Sequence, residues 1–323
     1  MGLAPTPAVP RQLPARERSR ARRARGPEAP NFLGAALFLL PASLLLIVFL
    51  LYPTIYTILL SFNRGRGGVF GEWVGLDNYI RLLSDPTFIN LSTFPPSGAL
   101  WNNILWIIFY VTVVIAIGLV IAVVAARVSY EAVLKAIVFI PMAIAATALA
   151  VIWKFVYAPD PSIGLLNAFL SVFQVSPISW LGDQAVVNGA LIAVGAWGSV
   201  GFATVILSAA VKSIPNEIIE SARVEGANER QVFFRIIVPM VSLPMSVLAV
   251  TLVVNVIKLF DLIYVMTFGG PGTASRTIAF TMYQQAFSAG QYGYGSAVAV
   301  VMLVVLIPIM VFNVRRFRTT AVM

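Results

Sequence analysis

The 323-residue sequence contains neither cysteine nor histidine. Without them the chain forms no disulfide bond, no thiol nucleophile, no imidazole base and no Cys- or His-ligated metal site. No G-x-x-x-x-G-K-[ST] motif occurs, so the chain has no P-loop to bind nucleotide phosphates. These absences predict a protein that is not an enzyme, with no catalytic residue, metal or cofactor of its own.

Charge is also scarce, since 11% of the residues are Asp, Glu, Lys or Arg, against roughly 25% in a soluble domain. Hydrophobic residues make up 59% of the chain, and its mean hydropathy is +0.89. About 20 apolar residues span about 30 Å of hydrocarbon as a helix. The sequence offers at least four long stretches without charge: 31–63, 100–126, 184–211 and 277–314. It therefore predicts an all-α, polytopic membrane helical bundle.

Six transmembrane helices are predicted, at roughly 34–62, 101–126, 134–157, 186–211, 241–267 and 296–314. Their connections divide unevenly in Lys and Arg: 16 fall on the side of both termini and four on the other. Because basic residues collect in the cytoplasm, both termini are predicted to be cytoplasmic, in the inner or plasma membrane. The net charge of +9 thus reflects membrane topology and not a nucleic-acid partner.

Three regions follow along the chain. Residues 1–31 carry seven Arg and no apolar core of signal-peptide length, so they are interpreted as a disordered cytoplasmic tail, with binding to anionic lipid as the alternative. Residues 32–318 form the transmembrane permease domain, and 319–323 a short C-terminal tail.

The fourth connection, 213–240, has the local signals of two short helices. Pro215 suits a helix start, and Gly226 suits a left-handed residue that ends this helix. Asn228 and Gln231 have the spacing of a capping pair for a second helix, which Pro239 is expected to end.

The same loop resembles the E-A-A-x(3)-G-x(9)-I-x-L-P motif of bacterial ABC importer permeases. The residues that match are Glu220, Ser221, Ala222, Gly226, Ile236 and Pro239, with Ser221 in place of the usual Ala and Val238 in place of the usual Leu. The resemblance implies a cytoplasmic coupling helix that docks in a groove of a separate ATPase. An amphipathic loop lying on the inner leaflet is the alternative.

Other segments, in the same order along 32–318, are similar to the carbohydrate branch of these permeases, of the maltose-importer type, and resemble α-glucoside permeases in particular. They include Gly75–Tyr79, Gly164–Asn167, Lys258–Tyr264 with Gly269–Pro271, and Gly293–Ala297. The resemblance implies uptake of a di- or oligosaccharide, with a second permease subunit, an ATPase dimer and an external sugar-binding protein as partners. ATP and Mg would then be bound by the ATPase.

The fourth span combines small and aromatic residues. Gly195, Gly198 and Gly201 allow close helix packing. Trp197 and Phe202 could stack on sugar rings or simply pack in the bundle. The family analogy places the substrate path here and in the fifth span, at or near Ser199, Phe202 and Asn255.

Polar residues recur every third position in the fifth span, at Asn255, Lys258 and Asp261. On a regular helix they cover about 120° of one side, so neighbours can meet. They are candidates for the substrate path, although Lys258 and Asp261 could instead neutralise each other.

Two other functions remain open. A secondary carrier would often show an internal repeat, and none is evident. An intramembrane transferase would want Asp-rich metal clusters in its loops, whereas Asp160 and Asp183 are interpreted as turn formers.

Overall fold

The computed structural model describes residues 32–92 and 96–320. The predicted tail 1–31 lies outside the described residues, as do the last three positions of the predicted C-terminal tail. The chain divides into two compact units at the Tyr56–Thr57 bond, within a helix. The described part of the first unit holds α1 (Phe32–Leu46), a π-helical turn (Ile47–Leu51) and the start of α2 (Tyr52–Ser61), which ends in the second unit.

The second unit contains the remaining helices, which follow one another with short connections. They are α3 (Asp77–Ser84), α4 (Ala99–Ala125), α5 (Glu131–Phe139), α6 (Ala146–Val156), α7 (Leu165–Val172), α8 (Val187–Lys212), α9 (Asn216–Val224), α10 (Glu229–Val232), α11 (Val238–Met240), α12 (Ser242–Ile257), α13 (Asp261–Met266), α14 (Ile278–Tyr283) and α15 (Tyr292–Thr320). A 3₁₀ turn, Ile140–Ala143, extends α5, and π-helical turns, Phe233–Ile237 and Gln284–Ser288, follow α10 and α14. No β-strand occurs in the described parts of the chain.

Among the described residues, four helices are long and apolar enough to cross a membrane, and the number reaches six if each of two bent helix pairs is one span. The predicted all-α membrane bundle is confirmed. The third span is bent by 97° between its halves, 131–143 and 146–156. Residues 229–240 meet the fifth span, α12, at 69°.

The core of the second unit lies between α4 and α8, which pack against each other along their lengths. Gly118 of α4 faces Ala203 of α8 so closely that a Cβ on Gly118 would lie 2.7 Å from the Ala203 Cβ. Gly201 meets the backbone of α5, where an added Cβ would lie 2.5 Å from the Val138 carbonyl oxygen. The predicted close packing at small residues of the fourth span is confirmed at Gly201.

Candidate functional site

The first helix of the loop 213–240, α9, ends at a left-handed glycine. Gly226 has φ of +90°, a conformation that a Cβ penalises. Its N–H donates to the Arg223 carbonyl oxygen (3.0 Å) and the Ala227 N–H donates to that of Ala222 (2.9 Å). These two bonds are those of a Schellman motif. The predicted glycine turn is confirmed.

A complete capping box starts the second helix, α10. The Gln231 N–H donates to Asn228 Oδ1 (2.9 Å), and the Asn228 N–H donates to Gln231 Oε1 (2.8 Å). The predicted capping pair is confirmed. The predicted end at Pro239 is wrong by a short distance, because Pro239 lies within α11 and the helical path bends only after Met240.

The residues of the coupling motif differ in exposure. Glu220, Ser221, Gly226 and Pro239 are exposed on the surface of the chain. The motif residues Ala222 and Ile236 are half-buried. Beside them, Ile219 packs on the core while its neighbour Ile218 remains 39% exposed. The loop is thus fixed to the bundle on one side and open on the other. A role of these residues in binding an ATPase remains a prediction.

One ion pair joins the loop to the end of α4, and a second ion pair joins the ends of two spans beside the loop. Glu229 accepts from the guanidinium groups of Arg223 (2.9 Å) and, at the end of α4, Arg127 (2.6 Å). Lys212, the last residue of α8, pairs with Glu131 at the start of α5 (2.7 Å). In the sequence, Arg127, Lys212 and Arg223 count only among the basic residues that indicate membrane topology. Their ion pairs could not be predicted, since pairing between Arg127 and Glu229 requires the folded chain.

A cavity of about 190 Å³ opens between α4, the bend of the third span, α8 and α12. Its wall is mostly apolar but includes four side chains with polar atoms: Trp106, Tyr110, Ser199 and Asn255. The Tyr110 hydroxyl donates to Ser199 Oγ (2.7 Å). Trp106 Nε1 is buried and has no hydrogen-bond partner in the described structure. Such hydroxyl, amide and indole groups could bind the hydroxyls and apolar ring faces of a sugar.

The fifth span is broken beside this cavity. The prediction that Asn255, Lys258 and Asp261 lie on one side of a regular helix is therefore wrong. Helix α12 ends at Ile257 and α13 begins at Asp261. Asn103 Nδ2 donates to the Val256 carbonyl oxygen (3.0 Å), and Thr277 Oγ1 donates to that of Leu259 (2.8 Å). These side chains satisfy backbone groups at the break, as a broken helix in a membrane requires.

The six predicted substrate-path residues are not all brought together. Ser199 and Asn255 line the cavity. Trp197 makes an edge contact with Trp153 at 5.5 Å between ring centroids, and Phe202 packs against the core. Lys258 and Asp261 are exposed, and no ion pair within 4.0 Å joins them. The alternative that these two neutralise each other is therefore wrong in this conformation.

Asparagines in the first turns of α4 and α8 hold the loop 267–277, which follows the fifth span, and they were not identified from the sequence. Asn102 Nδ2 donates to the Arg276 carbonyl oxygen (2.8 Å), and Asn188 Nδ2 donates to that of Ala274 (2.7 Å). Asn103 Oδ1 accepts from the Ile278 N–H (2.9 Å). Adjacent asparagines in an otherwise apolar span were the available signal.

Two loop aspartates act in turns, as predicted. Asp160 Oδ1 accepts from the Ser162 N–H, and Asp183 Oδ1 from the Ala185 N–H, both at 2.8 Å. The bond from the Ser162 backbone lowers the pKa of Asp160. Each carboxylate is thus occupied locally.

Comparison with known families gives one match, over residues 114–317, to the family described as "Binding-protein-dependent transport system inner membrane component". Similar proteins include the osmoprotective compounds uptake permease protein GgtC of Synechocystis sp., 42% identical, covering 87% of this chain and 98% of that protein. The alpha-glucoside transport system permease protein AglF of Rhizobium meliloti is 37% identical, with 86% and 81% covered. The trehalose/maltose transport system permease protein MalF of Thermococcus litoralis is 32% identical, with 87% and 93% covered.

Among solved structures, the fold is similar to that of a chain from a bacterial ABC transporter involved in the import of the acidic polysaccharide alginate. The TM-score is 0.74 at 22% identity, covering 94% of this chain and 99% of that one. A second structure of an alginate ABC transporter, in complex with an alginate pentasaccharide-bound periplasmic protein, gives a TM-score of 0.70 at 23% identity, with 88% and 93% covered. At these identities the likeness concerns the fold alone.

Proposed function

The chain belongs to the family of binding-protein-dependent transport system inner membrane components, and we propose that it is the permease subunit of an ATP-driven importer for an α-glucoside-type di- or oligosaccharide. Family membership makes it a multi-pass membrane transport component and not an enzyme. Relatives named for α-glucoside and trehalose/maltose transport support a sugar as the substrate.

The observation that carries the proposal is the cavity beside the broken fifth span. It lies between the two spans that the loop 213–240 connects, so a movement of the loop can reach its walls. The Asn255 side chain, exposed and without a hydrogen-bond partner in the described structure, is free to bind a sugar hydroxyl. At about 190 Å³ the cavity is smaller than the roughly 300–1,000 Å³ of usual ligand pockets. A disaccharide therefore requires it to open, or a second permease subunit to complete it.

The proposed assembly adds that second subunit, an ATPase dimer that binds ATP and Mg, and an external sugar-binding protein. The exposed face around Glu220 and Ser221 would contact the ATPase, and Gly226 would fix the angle between α9 and α10. Both termini would lie in the cytoplasm. Single cysteines in the cysteine-free chain test this orientation: residue 228 should resist, and residue 67 accept, a membrane-impermeant label added from outside. External labelling at residue 228 would contradict the coupling role.

Transport by the reconstituted assembly tests the function. We expect uptake from a panel of α-glucosides to require ATP, the ATPase and the binding protein. Asn255→Ala and Ser199→Val should reduce uptake and leave basal ATP hydrolysis intact, whereas Val205→Ala, on an exposed apolar face of the same span, should change neither. Phe202→Ala and Trp197→Ala test whether the path extends past the cavity. Sugar uptake by the chain alone, without ATP, would instead indicate a secondary carrier.

A further inference from the structure

A groove of about 410 Å³ lies between the end of α4 and the segment that follows the capping box. On one side it is lined by Val120 and Val124, which are one turn apart on α4, and by Arg127, two residues after that helix ends. The two valines are each 50% exposed. This wall runs from apolar, within the span, to cationic just beyond the end of the helix.

The opposite wall has the same polarity. It is formed by Arg230, Phe233 and Phe234, which are again neighbours on one helical face. Phe234 is 59% exposed, and the Arg230 guanidinium lies 6.0 Å from the centre of its ring. Both walls thus place an arginine at the polar end of the groove and large apolar side chains along it.

Charge in the groove is unbalanced. Glu229 is its only carboxylate in the described structure, and it is already paired with Arg127 and Arg223. Arg230 has no carboxylate within 4.0 Å among the described residues. Arg230 therefore adds a positive charge that no carboxylate of the described groove neutralises, which leaves a site for an anion.

We propose that this groove binds an anionic phospholipid. Its phosphate would lie at Arg230 and the outer edge of Arg127, where a guanidinium offers paired N–H donors. The first carbons of an acyl chain would lie along Val120, Val124 and Phe234. An amphiphile fits better than a free phosphate, because the apolar part of the groove belongs to a helix that spans the membrane. The site does not depend on which solute the chain transports.

The test uses the purified full-length chain in a neutral detergent, titrated with dioleoyl-phosphatidylglycerol or dioleoyl-phosphatidylcholine, with bound lipids counted by native mass spectrometry. We expect preferential retention of phosphatidylglycerol. Arg230→Gln should weaken it about fivefold, from the contribution of one arginine near a membrane surface. Arg235→Gln, which removes the same charge from an exposed residue outside the groove, should leave retention unchanged.

Two further measurements distinguish a lipid phosphate from a soluble phosphate ester and control for misfolding of a variant. Glycerol phosphate should not displace the lipid, and Phe234→Ala should weaken lipid retention without changing the melting temperature. Equal retention of both lipids, equal loss with Arg235→Gln, or displacement by glycerol phosphate would each overturn the proposal. In the last case the groove would be a site for a soluble phosphate ester.

Discussion

Two loops at opposite ends of the fifth span, 213–240 and 267–277, are held to the bundle by different kinds of bond. The polar bonds of the first loop are exposed, since Glu229 pairs with Arg127 of the bundle and with Arg223 of the loop itself, while buried Val232 and Ile237 pack on the core. The second is held by the amides of Asn102, Asn103 and Asn188, which reach backbone groups. Exposed ion pairs are weak and screened by salt, whereas a buried neutral bond is costly to break. The polar bonds of the first loop are therefore easier to break than those of the second.

The largest effect is expected where the second loop loses an amide. Asn103→Ala leaves the buried Ile278 N–H without its acceptor and removes a donor from the Val256 carbonyl oxygen. We expect a loss of about 2–4 kcal/mol in the free energy of unfolding, since each orphaned group costs about 1–3 kcal/mol. Denaturation of the purified chain in detergent measures it. Asn255→Ala is the matched control, because that exposed amide has no partner in the fold. Equal free energies of unfolding for the two variants would contradict the statement that the amide bonds of the second loop are costly to break.

An intermediate effect is expected at Gly226. Gly226→Val forces a branched residue into φ of +90°, at a cost of about 1–2 kcal/mol or more. No atom lies within 4 Å of the added Cβ, so the strain belongs to the backbone. We expect the chain to insert in the membrane but to fail to assemble with, or to stimulate, the ATPase.

Gly67→Val provides the comparison for this variant. Gly67 also has positive φ, at +65°, and open space around it, but it lies in another loop. The Gly67→Val variant should still assemble with the proposed ATPase, as measured by co-purification. Normal ATPase stimulation by Gly226→Val would show that the turn is not a rigid joint.

The smallest effect is expected for the ion pairs. Glu229→Gln should lower the free energy of unfolding only slightly, because ion pairs of a solvent-exposed carboxylate contribute little to stability. The difference from the parent chain should vanish in 1 M salt, where the screening length falls to about 3 Å. The effect of Asn103→Ala should persist there. A salt-independent loss for Glu229→Gln would mean that the two loops are held alike.

The sequence could predict features that depend on neighbouring residues. Stretches without charge marked the spans, and Gly226, Asn228 and Gln231 marked the turn and the capping box, because their hydrogen bonds join residues three to five positions apart. The break at Lys258–Phe260 could not be predicted, because the groups that stabilise it, Asn103 and Thr277, lie elsewhere in the chain. The cavity likewise depends on Trp106 and Tyr110 of α4, which become its wall only when α4 packs on α8.

The amide bonds of the second loop also set an order for biosynthesis. Asn102 and Asn103 find the Thr273, Arg276, Val256 and Ile278 backbone groups only 153 to 175 residues further along the chain. Until residues 256–278 have been translated, a nascent chain that has inserted α4 therefore lacks these backbone partners of Asn102 and Asn103. Ribosome-bound intermediates and truncated products shorter than about residue 278 cannot complete this bonding. We expect such products to be degraded faster than the full chain, because the C-terminal third supplies hydrogen-bond partners for a span made long before it.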